Sequence, residues 1–153
     1  MNRSRYLTRR LDHIDRAIIA ALYEDGRRTI KDVAELLKMS SPSITARIDK
    51  LKDAGAITGY TVVVDTGAFG LKVAAYVRMN AMPGQVPKLE KLIADAPEVV
   101  ELHQITGEGC FLARVVVCDV HELKVVVDRF QTCSTADTAI ILSSPVPRRL
   151  PKL

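Results

Sequence analysis

Six polar side chains lie within a short stretch of this chain and have the chemistry to bind an anionic polymer. Serine and threonine hydroxyls donate and accept hydrogen bonds, while arginine and lysine are charged donors. Such groups reach the phosphate oxygens and base edges of double-stranded DNA. The six candidate DNA-binding residues are Ser40, Ser41, Ser43, Thr45, Arg47 and Lys50.

The segment from Met39 to Ala56 that carries these residues has the local signals of a short helix. Ser40 is a favourable N-cap, Pro42 falls in the first turn, and Gly55 can end the helix with a positive φ. Apolar residues recur at i, i+4 and i+7, as one stripe of Ile44, Ile48 and Leu51. The pattern predicts that this stripe is buried and that the polar set faces outward, as in a recognition helix lying in a major groove.

An ordinary cationic helix on a protein surface would have the same pattern, so that alternative stays open. Asp49 also faces outward, where it would meet phosphates or accept a hydrogen bond from a cytosine amino group. Arg47 lies toward the edge of the apolar stripe. It is predicted to contact phosphate or guanine, or to lie partly over the core.

Two more helices are predicted before this one. Asp12 can cap the first, which should stop near Asp25-Gly26, and Thr29 with Asp32 forms a capping-box-like start for the second. Three short helices cannot each bury an apolar stripe alone, so they must pack on one another. Their order, with a tight turn before the third, is the helix-turn-helix pattern.

After Gly55 the chain becomes rich in predicted strands. Residues 57–64 are predicted to form a strand that acts as the wing, followed by a loop at 65–70. The remainder alternates as β-α-β-β-α-β, the ferredoxin-like order, and gives an α+β fold class. Its strands are predicted at residues 72–80, 99–106, 110–118 and 135–143. The domains are predicted at 1–60 for the helices, 61–70 for a linker and 71–153 for the ferredoxin-like body.

The sheet of this body poses a burial problem. Two helices cover one face, yet the strand from Cys110 to Cys118 is apolar on both sides. Packing two sheets face to face across a twofold axis would bury the second face, which predicts a homodimer. Such a dimer would present two recognition helices to successive half-sites. The alternative is that the N-terminal part of the same chain covers this face.

Composition sets the broad class of the protein. With 153 residues, 48% hydrophobic and 26% charged, the chain is predicted to be globular, with one ordinary domain or two small ones. No apolar run approaches the roughly 20 residues of a membrane span, and no secretory signal follows the basic N-terminus. Three cysteines without metal-ligand spacing predict reduced thiols in a cytoplasm.

The positive charge is concentrated at the two ends of the chain. Residues 1–60 contain twelve lysines and arginines against eight acidic residues, which accounts for the whole net charge of +4. The rest is neutral, although Arg148, Arg149 and Lys152 lie near its end. This asymmetry favours a DNA-binding head on a neutral body, against the alternative of charge for solubility. The arm at residues 1–10 is predicted to be disordered or to contact phosphates.

The sequence offers little for catalysis. His13, His103 and His121 are scattered, and no nucleophile, metal-binding or phosphate-binding motif accompanies them. His103 is interpreted as structural, and Cys110, the one candidate nucleophile, as inert packing. We therefore expect no enzyme activity, metal or cofactor.

The whole pattern resembles the Lrp/AsnC (feast/famine) family of transcription regulators. The resemblance is carried by LDHIDRAIIAALYEDGR at 11–27 and SSPSITARIDKLKDAGAITGY at 40–60, with TGEGCFLARVVV at 106–117 and IILS at 140–143. It implies a winged helix-turn-helix domain, with the helix-turn-helix at about 30–49, and a ferredoxin-like effector domain of the RAM/ACT type. It also implies dimers that often form octamers, located on the nucleoid, with an amino-acid effector bound between dimers.

The implied effector loop comprises Thr106, Gly107, Glu108, Gly109 and Cys110, and it departs from the family pattern. The family usually has Gly-x-x-Asp, often with an aromatic residue before the aspartate, whereas this chain has Gly-Glu-Gly-Cys. The aspartate could hold an ammonium group by a charge-assisted bond, which a neutral thiol cannot do, although Glu108 could substitute. The family's Pro-Gly-Val before the last strand is replaced by Gln131-Thr132-Cys133. Either the effector differs or sensing is weak or lost, and a plain hairpin turn is the structural alternative.

The sequence is compatible with two functions. The first is a sequence-specific transcription regulator with an amino-acid-type effector. The second is an effector-independent architectural protein that wraps DNA. The two share every DNA-binding feature and differ at the altered loop, so titrating amino acids against the assembly state would separate them.

Overall fold

The computed structural model describes residues 11–106 and 111–152 of the chain. Two compact units are present. The first combines the described residues up to Val63 with those from Val146 onward, and the second runs from Val64 to Pro145. The arm at 1–10 and the loop residues 107–110, both singled out from the sequence, lie outside the described residues. None of the described helices combines the length and apolar character that crossing a bilayer requires.

Three helices build the first unit, and two of them begin at capping boxes. They are α1 (His13–Glu24), α2 (Ile30–Leu37) and α3 (Ser41–Asp53). Asp12 accepts the Asp15 N–H at 2.8 Å while Asp15 accepts the Asp12 N–H at 3.2 Å. Thr29 and Asp32 exchange the equivalent pair of bonds at the start of α2. Both predicted helix starts are confirmed, because the cap residues satisfy N–H groups that have no partner inside the helix.

The ends of α3 follow the prediction with one exception. Ser40 occupies the N-cap position with an extended backbone, but its side chain makes no capping hydrogen bond, so the expected side-chain cap is wrong. Pro42 lies in the first turn, where its missing N–H costs nothing. Gly55 follows the helix with φ of 73°, which glycine adopts without steric cost.

The core of the first unit lies where the three helices meet. Its buried members come from all three predicted stripes, and each fully buried isoleucine or leucine stabilises the unit by about 1.5–3 kcal/mol. They are Ile18, Val33, Ala34, Ile44, Ile48 and Leu51.

The C-terminal segment joins this helical unit. The Tyr23 hydroxyl on α1 donates a hydrogen bond to the Arg148 carbonyl oxygen at 3.0 Å. The segment that carries Arg148, Arg149 and Lys152 therefore packs with the unit formed by α1–α3, although 125 residues separate Tyr23 from Arg148.

The second unit has the βαββαβ order that the sequence predicts. A 3-10 helix (Thr66–Phe69) precedes β1 (Val73–Ala81), α4 (Val86–Ala94), β2 (Val99–Gln104), β3 (Phe111–Val117), α5 (Val120–Gln131) and β4 (Ser134–Ile140). The sheet order is β2-β3-β1-β4, and all neighbours are antiparallel. The α+β fold class is confirmed.

One face of this sheet carries the main core. Alternate residues of β1 and β3 are buried, including Val77, Met79 and Val115, and they pack with Leu89 of α4 and Phe130 of α5. The inward face of α5 is one continuous apolar stripe, because Leu123, Val126 and Val127 are buried along with Phe130. The alternating buried residues of β1 and the apolar stripe of α5 thus pack together in one cluster.

The opposite face of the sheet mixes polar and apolar side chains. Tyr76 is 39% exposed and Leu112 is half-buried, while Val116 is only 3% exposed within the single chain. Arg78 is paired in register with Asp137 and exposed on the same face. This face is therefore less apolar than β3 alone indicates, because β1 and β4 contribute charged residues to it.

The prediction of a strand at residues 57–64 is wrong. The chain there pairs with no strand of the described sheet, and Val62 and Val63 are 81% and 94% exposed. Three consecutive valines give high strand propensity, but propensity reflects packing against neighbouring strands, and a strand forms only where a partner satisfies its backbone.

Candidate nucleic-acid interface

The predicted DNA-binding residues all lie at α3, on two flanks and at its start. Ser40 precedes the helix and is exposed, as are Thr45 and Lys50, whereas Ser41 and Ser43 are half-buried. At about 100° per residue, Ser43 and Lys50 fall on one flank of the buried stripe and Ser41 and Thr45 on the other. The structure therefore brings the set onto one helix but spreads it around the outer surface.

The outermost line of α3 is not cationic. Pro42, Ala46 and Asp49 are exposed, and they project directly away from the buried stripe. The Asp49 carboxylate lies 3.8 Å from the Lys52 ammonium, so its charge is partly compensated within the helix. The Lys52 ammonium also lies 5.9 Å from the centre of the Tyr60 ring, within the range of a cation–π contact.

Thr45 makes a hydrogen bond inside its own helix. Its hydroxyl donates to the Ser41 carbonyl oxygen at 3.0 Å. This is the usual bond from a helical threonine to the preceding turn, and it fixes the hydroxyl as a donor to the backbone. A Thr45 contact with DNA in this arrangement would use the remaining oxygen lone pair or the methyl group.

Arg47 contacts α1 and not only solvent. Its Nη1 donates to Asp12 Oδ2 and to Asp15 Oδ1, both at 2.7 Å. These two carboxylates are the same groups that cap α1. The pKa of Arg47 is raised by its hydrogen bonds to Asp12 and Asp15, so its charge is secure at any physiological pH. Sequence reasoning placed Arg47 near the edge of the buried stripe but could not identify these partners.

Acid is expected to weaken the contact between α3 and α1. The Asp15 N–H, and next the Arg47 guanidinium, hold the pKa of Asp12 below its ordinary value of 3.8. Because the folded pKa is depressed, this carboxylate stabilises the fold above about pH 4, and the stabilisation is lost as pH falls through the folded value. The urea concentration at which the first unit is half unfolded should therefore decrease as the pH is lowered below about 4. Asp12→Asn, which keeps a capping side chain, should show a smaller fall, and equal falls in both proteins would contradict the assignment.

Lys38 is a cation of this surface that sequence reasoning missed. It forms the C-cap of α2 with φ of 54° and ψ of 45°, and among the described residues no other non-glycine has a positive φ. The side chain is exposed in the tight turn that leads into α3. A turn this short between two helices requires a residue in the left-handed conformation. The shortness of the turn was the sequence signal that could have identified Lys38.

Replacing Lys38 by glycine is expected to stabilise the first unit. A residue with a Cβ in the left-handed region costs roughly 1–2 kcal/mol, a cost that glycine does not have. Lys38→Ala removes the same charge but keeps the Cβ, so it is the matched control. Urea unfolding should rank glycine above alanine by about 1 kcal/mol, and equal stability of the two variants would show that the turn is not strained.

The predicted effector loop is described only at its first residue. Thr106 is exposed after the end of β2, and Gly107, Glu108, Gly109 and Cys110 lie outside the described residues. Nearby, His103 is exposed on β2, with Nε2 3.7 Å from a Glu101 carboxylate oxygen. His103, interpreted from the sequence as structural, therefore lies in a polar setting on the open face of the sheet.

Two family models together match most of the chain. A winged helix-turn-helix DNA-binding model matches residues 11–58, which contain α1 to α3. An Lrp/AsnC ligand binding domain model matches residues 74–151, which contain nearly all of the sheet. The gap between the two matches falls at residues 59–73, which include the exposed valines.

Curated relatives match over nearly their full length. The HTH-type transcriptional regulator Rv2324 of Mycobacterium tuberculosis is 29% identical, covering 93% of this chain and 99% of the relative. The uncharacterized HTH-type transcriptional regulator YezC of Bacillus subtilis is 31% identical, covering 88% and 95%.

Solved structures share the fold. LrpC of B. subtilis gives a TM-score of 0.87 at 24% identity, covering 92% of this chain and 100% of that one. The feast or famine regulatory protein of M. tuberculosis, complexed with L-methionine, gives 0.85 at 25% identity, covering 92% and 98%. The family models and the curated relatives favour a transcriptional regulator over the architectural alternative and over an enzyme. The chain belongs to the Lrp/AsnC family of DNA-binding transcriptional regulators.

Proposed function

We propose that α3 is the recognition helix and that this regulator reads its operator with the residues at the start and on the flanks of that helix. The observation that supports this most directly is the arrangement of α3. Its apolar stripe is buried on α1 and α2, while Ser40, Thr45 and Lys50 are exposed. Helix-turn-helix proteins contact base edges with the N-terminal residues of the second helix, where this chain has Ser40, Ser41 and Ser43.

On the outer surface of α3, the positive charge comes from Lys50. Lys52 lies on the same helix, but its ammonium is close to the Asp49 carboxylate. A lysine that meets a phosphate releases one condensed counterion from DNA, which makes binding depend on salt. Arg47 is included among the candidate DNA-binding residues on sequence grounds, although its guanidinium is paired with Asp12 and Asp15 at the start of α1.

Lys50→Ala tests the role of α3 in DNA binding. Binding to a short duplex of mixed sequence is measured by fluorescence anisotropy over a range of salt concentrations. We expect the slope of log affinity against log salt to fall by about 0.9 for each phosphate that the variant no longer neutralises. Lys91→Ala removes the same charge from α4 in the second unit, where Lys91 is exposed, and should leave the slope unchanged. An unchanged slope in Lys50→Ala would overturn the placement of α3 on DNA.

We infer that the protein acts in the cytoplasm, on the nucleoid, as a homodimer with higher assemblies such as an octamer. Support comes from the open face of the sheet, where Tyr76 and Leu112 retain exposed apolar surface. A second copy of this face would cover it across a twofold axis. Sedimentation velocity of the wild type and of Tyr76→Asp tests this, because the variant should shift the population toward smaller species. An unchanged distribution would exclude this face from the dimer.

We further propose an amino-acid-type effector held at residues 106–110. Support comes from the Lrp/AsnC ligand binding domain match and from the relative crystallised with L-methionine. Cys110 stands where the family has an aspartate, so wild-type affinity for amino acids should be weak. A thermal-shift screen of the twenty amino acids identifies any ligand, since binding to the folded state raises its stability.

Cys110→Asp restores the carboxylate at that position. A charge-assisted bond to a ligand ammonium contributes about 1.5–3 kcal/mol, so the affinity for the best amino acid should rise about tenfold or more. Cys118→Asp introduces the same charge at an exposed cysteine outside this loop and should leave the ligand-induced shift unchanged. Equal shifts in the two variants would contradict the placement of the effector.

A further inference from the structure

The contact with Arg47 and the capping box of α1 together use every oxygen of two carboxylates. Asp12 Oδ1 accepts the Asp15 N–H, and its Oδ2 accepts Arg47 Nη1. Asp15 Oδ2 accepts the Asp12 N–H, and its Oδ1 accepts the same Nη1. The capping box that starts α1 is thus also the binding site for a side chain of α3, and the guanidinium offsets the repulsion between the two carboxylates.

The Arg47–Asp15 pair is better shielded than the other ion pairs of the first unit, including Arg47–Asp12, in which the Asp12 side chain is 46% exposed. The side chains of Arg47 and Asp15 are 28% and 17% exposed, whereas those of Lys31 and Glu35, 3.9 Å apart on α2, are 81% and 68% exposed. A shielded charge pair with short hydrogen bonds loses little to solvent screening, while an exposed pair contributes almost nothing. Among the described residues of this unit, the two ion pairs of Arg47 are also the ones that connect one helix to another.

We propose that Arg47 is a positioning residue, which fixes the orientation of α3 on α1 through Asp12 and Asp15 and does not itself bind DNA. The apolar stripe of α3 holds the helix against the core but allows rotation and sliding, since apolar contacts have little directionality. An ion contact with defined donors and acceptors at the α1 N-terminus removes that freedom. The exposed residues Ser40 and Lys50 are then presented in a single register. The inference rests on the proposal that α3 is the recognition helix.

The two possible roles of Arg47 predict opposite effects of removing its partners. If Arg47 binds a phosphate, neutralising Asp12 and Asp15 frees its guanidinium and removes two negative charges, so DNA binding tightens. If Arg47 positions α3, the same change weakens binding despite the gain in net positive charge. Asn at both positions keeps side-chain oxygens that can accept the capping N–H bonds, so α1 retains its start.

The experiment is a double-mutant cycle on the full-length protein, with the same mixed-sequence duplex and anisotropy readout. Its variants are Arg47→Gln, the pair Asp12→Asn/Asp15→Asn, and all three changes together. We expect Arg47→Gln and the double variant each to weaken binding by about tenfold, and the triple variant to be no weaker than either, because they remove one shared contact. The salt slope should stay at the wild-type value in all of them, whereas Lys50→Ala lowers it.

Two results would overturn the proposal. One is tighter or unchanged binding by Asp12→Asn/Asp15→Asn. The other is a fall of about 0.9 in the salt slope of Arg47→Gln, the value for neutralising one phosphate fewer. If Arg47→Gln does not fold, Arg47→Lys takes its place and should restore part of the affinity, since a lysine reaches one carboxylate but lacks the planar fork. If the salt slope is unchanged in Lys50→Ala as well, the proposal that α3 is the recognition helix is wrong. Lys50→Ala therefore distinguishes failure of that proposal from failure of the positioning role of Arg47.

Discussion

Phe130→Ala is expected to destabilise the second unit by about 3–5 kcal/mol, the range for removing a buried phenylalanine. Phe130 is fully buried and is the largest of the completely buried side chains among the described residues. It lies in the cluster formed by α4, α5 and one face of the sheet, with Val77 and Leu89. Alanine would leave a cavity there that the central strands cannot close, because β1 and β3 are each paired with a neighbouring strand on both edges.

Hydrogen exchange read by mass spectrometry resolves this effect, because it follows each unit separately. Protection should fall in peptides from β1, β3 and α5 and stay unchanged in peptides from α1–α3. Val125→Ala on the same helix is the matched control, since Val125 is 49% exposed and its truncation leaves no cavity. Equal loss of protection in both units would contradict their description as separate cores.

Ile44→Ala is expected to destabilise the first unit by about 2–5 kcal/mol, the range for truncating a buried isoleucine. Ile44 is fully buried, and this core has only six buried members among the described residues, so the loss is a large share of the stability of a unit this small. Because α3 packs on α1 and α2 through Ile44, DNA binding should be lost at temperatures at which the second unit stays folded.

The same exchange measurement locates the change, now in α1–α3, and anisotropy follows the loss of DNA binding. Leu36→Ala serves as the control, because Leu36 belongs to the same unit but is 56% exposed. Retained DNA binding by Ile44→Ala at full occupancy would mean that the helical core does not support the recognition surface.

Local signals explain why most of the fold was predictable from the sequence. Helix starts at Asp12 and Thr29 depend on residues three positions apart, and both are confirmed. The same holds for the apolar stripes, because a helix or strand determines by itself which residues share a face. From these the order of elements and the α+β class follow without knowledge of any long-range contact.

Features that depend on distant residues were not predictable. The valines at 62–64 have strand propensity, but a strand depends on a partner that propensity does not supply. The link from Arg47 to Asp12 spans 35 residues, and nothing in the pattern of α3 indicates that its flank faces the start of α1. The candidate DNA-binding residues could therefore be identified from residue type and position on the helix. Separating binding residues from positioning residues required knowledge of how α3 packs against α1.

The return of the C-terminal segment to the helical unit makes both ends of the described chain part of one unit. The backbone leaves that unit after Val63 and re-enters it at Val146, and the Tyr23 hydroxyl donates a hydrogen bond to the Arg148 carbonyl oxygen. The sheet unit is therefore an insertion in the sequence of the helical unit. During synthesis from the N-terminus, the helical unit is complete only after the whole sheet unit has been made.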